Sequence, residues 1–482
     1  MTVERRRCAL FFAALFAVTL ALRLCHVRIL WADEDYHLAA GIQTLGGKLL
    51  YRDFWYDKPP LAALVYAAMG ALAGWPLRLF DALYVLAVSI ATWRFARDLW
   101  GRREAFLAAG LTAFFLNFDL SAAVIPIVPD MFLLLPHIVA VHCAWKGKSF
   151  AAGLWCAVAF LFHTKGVFVL ATCALLAWCA LPALALGFAI PNVAAMAGLA
   201  ATGALTPYVQ QVWEWSAAYA RSSPELHPFA NGLRRTADWL GFHAALAIGA
   251  AAFWWENRKR ENYWIAAWLV LSFAGVTLGA RFFPRYFLQI LPPMVLLTSW
   301  ALARRRMIAW VACVALLVPV VRFGPRYATL AHDLLTGRPH QWADLALDQD
   351  SWAAADIVNG LKHPGDTLFV WGYRPGVFVY TRMPVASRFW DSQPLTGVPA
   401  DRHLHDTSAV LREQAARNRV ELAQSRPTFV VDSLSLANSR LAMEAYPELR
   451  SWLAGYRVVG LTGMSSIYEL TTEIQRHGEN LR

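Results

Sequence analysis

Long apolar runs recur through the first two thirds of this chain, and they constrain its fold more than any other feature. An α-helix needs about 20 consecutive apolar residues to cross the hydrocarbon core of a bilayer. Of the 482 residues 58% are hydrophobic and only 16% are charged, whereas soluble domains are about 25% charged. The sequence therefore predicts an all-α polytopic domain embedded in a lipid bilayer. Candidate spans lie at residues 8–27, 77–98, 104–120, 131–145, 149–163, 167–181, 183–202, 238–255, 262–280, 286–303 and 307–322.

Basic clusters predict which ends of these spans face the cytoplasm, because Lys and Arg are enriched in cytoplasmic loops. All clusters fall on one side if residues 59–75, which begin with Pro59-Pro60, form a re-entrant or juxtamembrane helix. About 11–13 transmembrane helices then result, with a cytoplasmic N-terminus. The clusters are Arg5–Arg7, Arg94/Arg97/Arg102/Arg103, Lys146/Lys148, Arg258–Arg260 and Arg304–Arg306.

The distribution of charge excludes nucleic acid as a partner. Residues 1–322 hold 28 Lys and Arg against 16 Asp and Glu, whereas residues 323–482 hold 16 against 17. The basicity thus belongs to the membrane half, where it reports topology. The seven cysteines lie in or beside apolar segments without a CxxC pair, so a thiolate metal cluster and a disulfide framework are also excluded.

The C-terminal part has a different pattern, in which short strand-like runs alternate with helical or turn-rich stretches. We predict that residues 323–482 form a small extracytoplasmic α/β domain and that residues 1–322 form the membrane domain. The predicted strands are Thr367–Trp371, Val377–Tyr380, Thr428–Val431, Tyr456–Leu461 and Ser466–Leu470.

The first predicted outer loop, residues 28–58, contains more candidate functional residues than any other part of the chain. Asp33, Glu34 and Asp35 follow the first span directly and precede the apolar face of an amphipathic helix. Asp33 is open to two interpretations: an N-cap of that helix, or a functional acid, since ionisable groups at membrane depth are costly and usually functional.

Further charged residues mark the other predicted outer turns. Asp130 lies at the mouth of an apolar span, where it is either an N-cap or a second functional acid. Lys165 interrupts a long apolar stretch, either as a snorkelling loop cation or as a ligand-binding residue. Arg281 and Arg285 oppose the usual charge bias of an outer face, and an anionic ligand explains them. Carboxylates that act as bases, together with cations that hold a phosphate, predict group transfer from a phosphate-bearing lipid-anchored donor.

The order of these motifs resembles the GT-C glycosyltransferases. The resemblance is closest to the branch of protein O-mannosyltransferases and aminoarabinose transferases, including bacterial members related to the rhizobial lipopolysaccharide sugar transferases. It covers residues 1–322 and, more loosely, the tail. The motifs are Asp33-Glu34 with Tyr36, Leu50-Tyr51-Arg52-Asp53, Asp57-Lys58-Pro59-Pro60-Leu61, Pro129-Asp130, Thr164-Lys165-Gly166, and Arg285-Tyr286 with Pro292.

This resemblance implies an inverting transferase that uses a polyprenyl-phosphate-linked sugar. It implies that Asp33 is the catalytic base with Glu34 beside it, and that Asp130 is a second acid for acceptor or metal. The donor phosphate is expected to contact Lys58, Lys165, Arg281, Arg285 and Tyr286.

Two departures from the family pattern limit what it implies about metal and acceptor. Asp57 stands where the aminoarabinose branch has Glu, so the resemblance leaves open whether a divalent ion binds. The candidate ligands for such an ion are Asp57 and Asp130. Lys58 stands where the mannosyltransferases have His, and their luminal insert is absent. The expected acceptor is therefore a glycolipid or a polysaccharide of the cell envelope, reached from the outer face of a bacterial inner membrane.

Two other function classes stay open at this point. A transporter or lipid flippase would require charges inside the spans and two similar halves, and no internal symmetry is visible. A non-catalytic subunit of an envelope-assembly complex would use the loop acids as plain helix caps.

Overall fold

The computed structural model describes residues 3–222 and 227–471 of the chain; residues 472–482 of the predicted C-terminal domain lie outside the described residues. The membrane half is built of helices throughout. These are α1 Val3–Leu24, α2 Glu34–Leu45, α3 Leu61–Ala68, α4 Trp75–Leu99, α5 Arg102–Phe115, α6 Ser121–Val124, α7 Pro129–Phe132, α8 Leu134–Trp145, α9 Ser149–Phe162, α10 Gly166–Leu176, α11 Leu181–Ala201, α12 Leu205–Tyr208, α13 Trp215–Arg221, α14 Pro228–Phe242, α15 Ala244–Glu256, α16 Tyr263–Thr277, α17 Leu291–Arg304, α18 Arg306–Ala315 and α19 Leu317–Thr336.

Within the described ranges, five helical segments are both long and apolar enough to cross a membrane: Glu4–Leu24, Trp75–Leu99, Trp178–Ala201, Pro284–Arg304 and Arg306–Thr336. In the most apolar 18-residue window of Pro284–Arg304, 89% of the residues are buried, so this segment forms the centre of the bundle. The share is only 11% in the first and last segments, which lie at its edge. The predicted all-α membrane fold is confirmed, and the figure of 11–13 crossings stays a prediction. Helix α3 has only eight residues, far fewer than a crossing requires, as expected for residues 59–75.

The predicted basic clusters meet at one end of the bundle. Salt bridges join residues from separate helices there, so the N-terminus of α1 and the end of α17 lie at the same end as the α4–α5 and α8–α9 turns. The pairs are Glu4–Arg102 at 2.8 Å, Glu104–Arg304 at 3.1 Å, Glu256–Arg305 at 2.5 Å, and Asp98–Lys146. This common end agrees with the positive-inside pattern, and its assignment to the cytoplasm stays a prediction.

The C-terminal part folds around a small mixed sheet. Strands β1 Leu368–Trp371, β2 Phe429–Asp432, β3 Tyr456–Leu461 and β4 Ser466–Leu470 lie in the order β1-β2-β4-β3. Strand β1 runs parallel to β2, and the other neighbours are antiparallel. Helices α20 Ala346–Leu361, α21 Gly376–Thr381, α22 Gln393–Thr396, α23 Arg412–Leu422 and α24 Pro447–Leu453 surround the sheet.

Two details of the C-terminal part differ from the sequence analysis. The run Val377–Tyr380 lies in α21 and not in a strand, because Pro375-Gly376 starts a helix whose first amide, that of Gly376, donates to the Asp35 carboxylate at 3.2 Å. A tertiary contact thus overrides the β propensity of Val377 and Val379. Helix α19 also runs past the predicted domain boundary at residue 322 and ends at Thr336.

The C-terminal domain packs directly on the first outer loop. Gln43 of α2 donates to the Met383 carbonyl and accepts from the Val385 amide, each at 3.0 Å. The Trp55 amide donates to the Arg388 carbonyl at 2.7 Å. The loop is therefore fixed between the membrane helices and the C-terminal domain.

Candidate active site

A cavity of about 420 Å³ lies where the first outer loop, the turns before α7 and α17, and the C-terminal domain meet. The membrane side contributes Asp33, Lys58, Asp130 and Arg285 to its wall, and the C-terminal domain contributes Tyr373. This volume falls within the usual range for small-molecule sites, about 300–1,000 Å³. The cavity lies at the end of the bundle opposite the basic clusters.

Asp33 occupies the position before α2 but does not cap the helix with its side chain. Its backbone has φ 71° and ψ −34° and no side-chain capping hydrogen bond, so the N-cap interpretation is not what the structure shows. Its carboxylate instead pairs with Arg285 and accepts a hydrogen bond from the Tyr373 hydroxyl at 3.3 Å. A positive φ at a non-glycine residue costs about 1–3 kcal/mol, and such strain is concentrated at functional sites.

The charge environment of Asp33 favours its ionised form. Burial raises the pKa of the Asp33 carboxyl, but Arg285, then Lys58 and His37, together bring this pKa below its ordinary value. The Asp33 side chain is nevertheless 39% exposed, because it faces the open cavity. Asp33 is therefore an ionised carboxylate that a bound molecule can reach.

Glu34, the predicted neighbour of the base, points away from the cavity. Glu34 is the first residue of α2, whereas Asp33 precedes the helix with a non-helical backbone, so the two adjacent side chains point in different directions. Its two oxygens accept from the Arg78 guanidinium at 3.0 and 2.7 Å, and Arg78 also binds Asp81 at 2.5 Å. All three side chains are buried, and they join α2 to α4. The position of Glu34 does not support the predicted catalytic role.

Two of the predicted phosphate-binding cations line the cavity. Lys58 pairs with its neighbour Asp57 at 2.7 Å and keeps 38% of its side chain exposed. Arg285 begins the central segment that leads into α17 and has 21% of its side chain exposed. Both cations lie near Asp33, so an anion bound to them lies beside the carboxylate.

Asp130, Lys165 and Tyr286 form a second cluster at the same wall. The Lys165 Nζ lies 3.2 Å from the Asp130 carboxylate and 3.1 Å from the centre of the Tyr286 ring. His163 approaches Asp130 at 3.6 Å. Asp130 and Tyr286 line the cavity, but Lys165 is covered by them and does not. Lys165 therefore orients these two side chains and is not placed to contact a molecule in the cavity directly.

Arg281 is also not brought to the cavity wall. It pairs with Asp401 of the C-terminal domain at 2.8 Å and lies 3.6 Å above the Tyr219 ring. The charge of Arg281 is therefore balanced by a carboxylate of the protein itself, whereas the sequence analysis expected an anionic ligand.

The predicted metal ligands do not fit a divalent ion. Asp57 and Asp130 are each paired with a lysine, and a nearby ammonium opposes a second positive charge. In residues 3–222 and 227–471 no group of three or more His, Cys, Asp or Glu side chains converges as a metal site would require. We therefore derive no step through a metal.

The sequence analysis missed the wall that the C-terminal domain contributes. Tyr373 and Arg374 follow β1 directly, and Asp401 and His403 lie on a later loop. The available signal was the position of Tyr373 at the carboxyl end of a parallel strand, where ligands usually bind in α/β sheets. The sequence analysis identified Asp35 only as one of three adjacent acids. Burial and the charges of Asp33 and Asp348 raise the pKa of its carboxyl well above the ordinary value.

The overall chain is similar to known membrane enzymes in fold. The crystal structure of ArnT from Cupriavidus metallidurans bound to undecaprenyl phosphate matches with a TM-score of 0.62 and 16% identity, over 97% of this chain and 98% of that one. The apo structure of the same enzyme matches with a TM-score of 0.62 and 15% identity, over 98% and 99%. The oligosaccharyltransferase AglB from Archaeoglobus fulgidus gives a TM-score of 0.46 at 11% identity, over 96% of this chain and 74% of that one.

Sequence comparison adds no further relative: no family model matches the chain, and no curated protein does. At 15–16% identity the two ArnT structures establish the architecture and not the reaction. The predicted architecture, a helical membrane domain followed by a small α/β domain, is confirmed by this likeness. The chain shares its fold with these two ArnT structures.

Proposed function

We propose that this protein is an inverting glycosyltransferase that moves a sugar from a polyprenyl-phosphate donor to an acceptor of the cell envelope. The observation that carries the proposal is the strained Asp33, whose carboxylate faces the cavity beside the cations Lys58 and Arg285. A base and a phosphate site side by side are what such a transfer needs. The undecaprenyl phosphate bound in the ArnT structure supports the donor class.

In the proposed reaction, Asp33 removes the proton from an acceptor hydroxyl. The resulting oxygen attacks the anomeric carbon from the face opposite the phosphate and forms the new glycosidic bond. The bond between the anomeric carbon and the phosphate oxygen breaks, and its electron pair stays on the phosphate. Lys58 and Arg285 stabilise the charge that develops there. The proton ends on Asp33, and the anomeric configuration inverts.

We also propose an acceptor and a location for the site. The C-terminal wall, with Tyr373, Arg374 and His403, lies on the side away from the membrane helices, so we assign the acceptor to it. We take the acceptor to be a glycolipid or polysaccharide of the envelope, and the site to face the outside of a bacterial inner membrane with the N-terminus in the cytoplasm. The alternatives, a transporter or a non-catalytic subunit, do not require a strained acid beside two cations.

The test is transfer by the purified full-length protein in lipid nanodiscs, with radiolabelled polyprenyl-phosphate sugars as donors and envelope glycolipids as acceptors. We expect release of polyprenyl phosphate with labelling of the acceptor, and an anomeric configuration opposite to that of the donor by NMR. Sugar nucleotides are the negative control. Retained configuration would overturn the inverting mechanism, and absence of transfer and of donor binding across the panel would overturn the function.

A matched pair of variants connects the activity to the site. Asp33→Asn removes the carboxylate that faces the cavity. Asp53→Asn removes a carboxylate from the same loop that pairs with Arg52 and does not line the cavity. We expect only the first to abolish transfer; equal loss in both would show that the loop, and not the base, is required.

A further inference from the structure

Three cations of the Asp33–Asp130 region are each paired with a carboxylate of the same chain. Lys58 pairs with Asp57 at 2.7 Å, Lys165 with Asp130 at 3.2 Å, and Arg285 with Asp33. A phosphate that binds at Lys58 and Arg285 therefore meets cations that are already neutralised. Its binding must separate at least one pair or tolerate the repulsion of the carboxylate that stays.

The Arg285–Asp33 pair is the one that a ligand can separate. Lys58 and Asp57 are adjacent in the chain, so they stay close whatever is bound. Lys165 is covered by the Tyr286 ring and does not line the cavity. Arg285 and Asp33 both line it, and their partly exposed side chains come from segments 252 residues apart in sequence.

We infer that the donor phosphate takes Arg285 from Asp33, so that donor binding itself releases the base for the acceptor. The inference rests on the proposed function and adds an order to it: donor first, acceptor second. With Arg285 as its partner, Asp33 is a weak base, because a paired carboxylate is stabilised in its charged form. Once Arg285 holds the phosphate, the carboxylate is more basic and has free lone pairs for an acceptor hydroxyl.

The structure supplies what such an exchange needs on the Asp33 side. The Tyr373 hydroxyl donates to the other carboxylate oxygen, Oδ1, at 3.3 Å, and this contact can persist when Arg285 leaves. The residue that follows Asp33 is anchored, since Glu34 accepts hydrogen bonds from Arg78 through both of its oxygens. Asp33 is thus held in place by neighbours other than the cation that it gives up.

The exchange also has a consequence for binding without catalysis. Since Asp33 and the phosphate compete for one guanidinium, removing the Asp33 charge should tighten phosphate binding although it abolishes transfer. General repulsion between carboxylate and phosphate would tighten it too. The two explanations differ in whether the gain depends on Arg285.

The experiment measures binding of undecaprenyl phosphate, without sugar, to the full-length protein in nanodiscs. The proteins compared are the wild type, Asp33→Asn, Arg285→Gln and the double variant. We expect Asp33→Asn to bind about 1.4- to 5-fold more tightly, the range that a partly exposed ion pair allows. We expect this gain to vanish in the Arg285→Gln background. Asp130→Asn measures the general repulsion, because its partner Lys165 does not line the cavity.

Each outcome separates the exchange from the proposed function. A gain that persists without Arg285, or no gain at all, overturns the exchange while the donor site stands. Binding that is absent from the wild type overturns the donor site and the exchange with it. Thermal unfolding confirms that each variant is folded, and Asp33→Ser serves as a second neutral variant if Asp33→Asn does not fold.

Discussion

Replacement of Asp33 by Asn is the substitution that tests the proposed base most directly, because the structure separates its effects on folding and on rate. Asn tolerates a positive φ better than most residues do, so the backbone at φ 71° is kept. No side-chain cap is lost, because Asp33 makes none. What is lost is the ion pair with Arg285, whose side chains are 39% and 21% exposed. Such pairs are worth about 0.2–1 kcal/mol.

The expected effect on rate is much larger than the effect on folding. General base assistance contributes about 10²–10⁴-fold, so kcat should fall by that factor while the free energy of unfolding falls by at most about 1 kcal/mol. The assay is transfer from the best polyprenyl-phosphate sugar of the panel under single-turnover conditions, with thermal unfolding in detergent alongside. A folded Asp33→Asn protein that binds donor and transfers sugar at close to the wild-type rate would refute the assignment.

The pH dependence provides an independent check on the same residue. Burial raises the pKa of Asp33, but Arg285, then Lys58, outweigh it and keep this pKa below its usual value. Below the folded-state pKa the base is protonated, so kcat/KM should be constant at neutral pH and fall only in acid, below the ordinary Asp value of about 3.9. The stability that Asp33 contributes is present above the unfolded-state pKa and is lost as the pH falls through the folded-state pKa. In Arg285→Gln the acid limb of kcat/KM should move to higher pH, and an unchanged limb would contradict this electrostatic reasoning.

Three more outcomes are expected. Lys58→Ala and Arg285→Gln should each weaken binding of undecaprenyl phosphate about tenfold, as expected for loss of one charge-assisted contact, with little change in the melting temperature; unchanged affinity in titrations would remove both residues from the site. A reporter enzyme that functions only in the periplasm should be active when it is fused after Arg482. Activity of a fused reporter that functions only in the cytoplasm would show that the topology is the reverse of the predicted one. Arg78→Met should lower the free energy of unfolding by about 3–5 kcal/mol, because it leaves Glu34 charged and buried; wild-type melting of this variant would show that the pair is dispensable.

The sequence was sufficient to predict those features that depend on the local residue pattern and on whether a segment lies in lipid or in water. Apolar runs identify the helices because the hydrocarbon core of a bilayer offers no hydrogen-bond partners. The backbone of a spanning segment therefore forms its hydrogen bonds within a helix. The alternation in the tail identified β1, β2, β3 and β4, which pair as a sheet. The placement of Asp33 just beyond the first apolar helix also followed from its position beside an apolar run.

Features that depend on contacts between distant segments were beyond the sequence. The strand-like run Val377–Tyr380 is helical because Asp35 binds its start. Glu34 and Asp33 look equivalent in the sequence, yet one side chain faces Arg78 and the other Arg285. Which of these two adjacent acids reaches the cavity is decided by the backbone turn at Asp33 and the start of α2 at Glu34, and neither composition nor spacing predicts that turn.

The hydrogen bond from the Gly376 amide to Asp35 joins residues 341 positions apart, and this distance has a consequence for biosynthesis. A ribosome adds about 5–20 residues per second, so roughly 20–70 s separate the emergence of the two partners. During that interval the loop with Asp33 lacks the wall that Tyr373 completes. A nascent chain therefore has no finished cavity until its last domain has been made and has folded, and a chain released early carries the acid without the site.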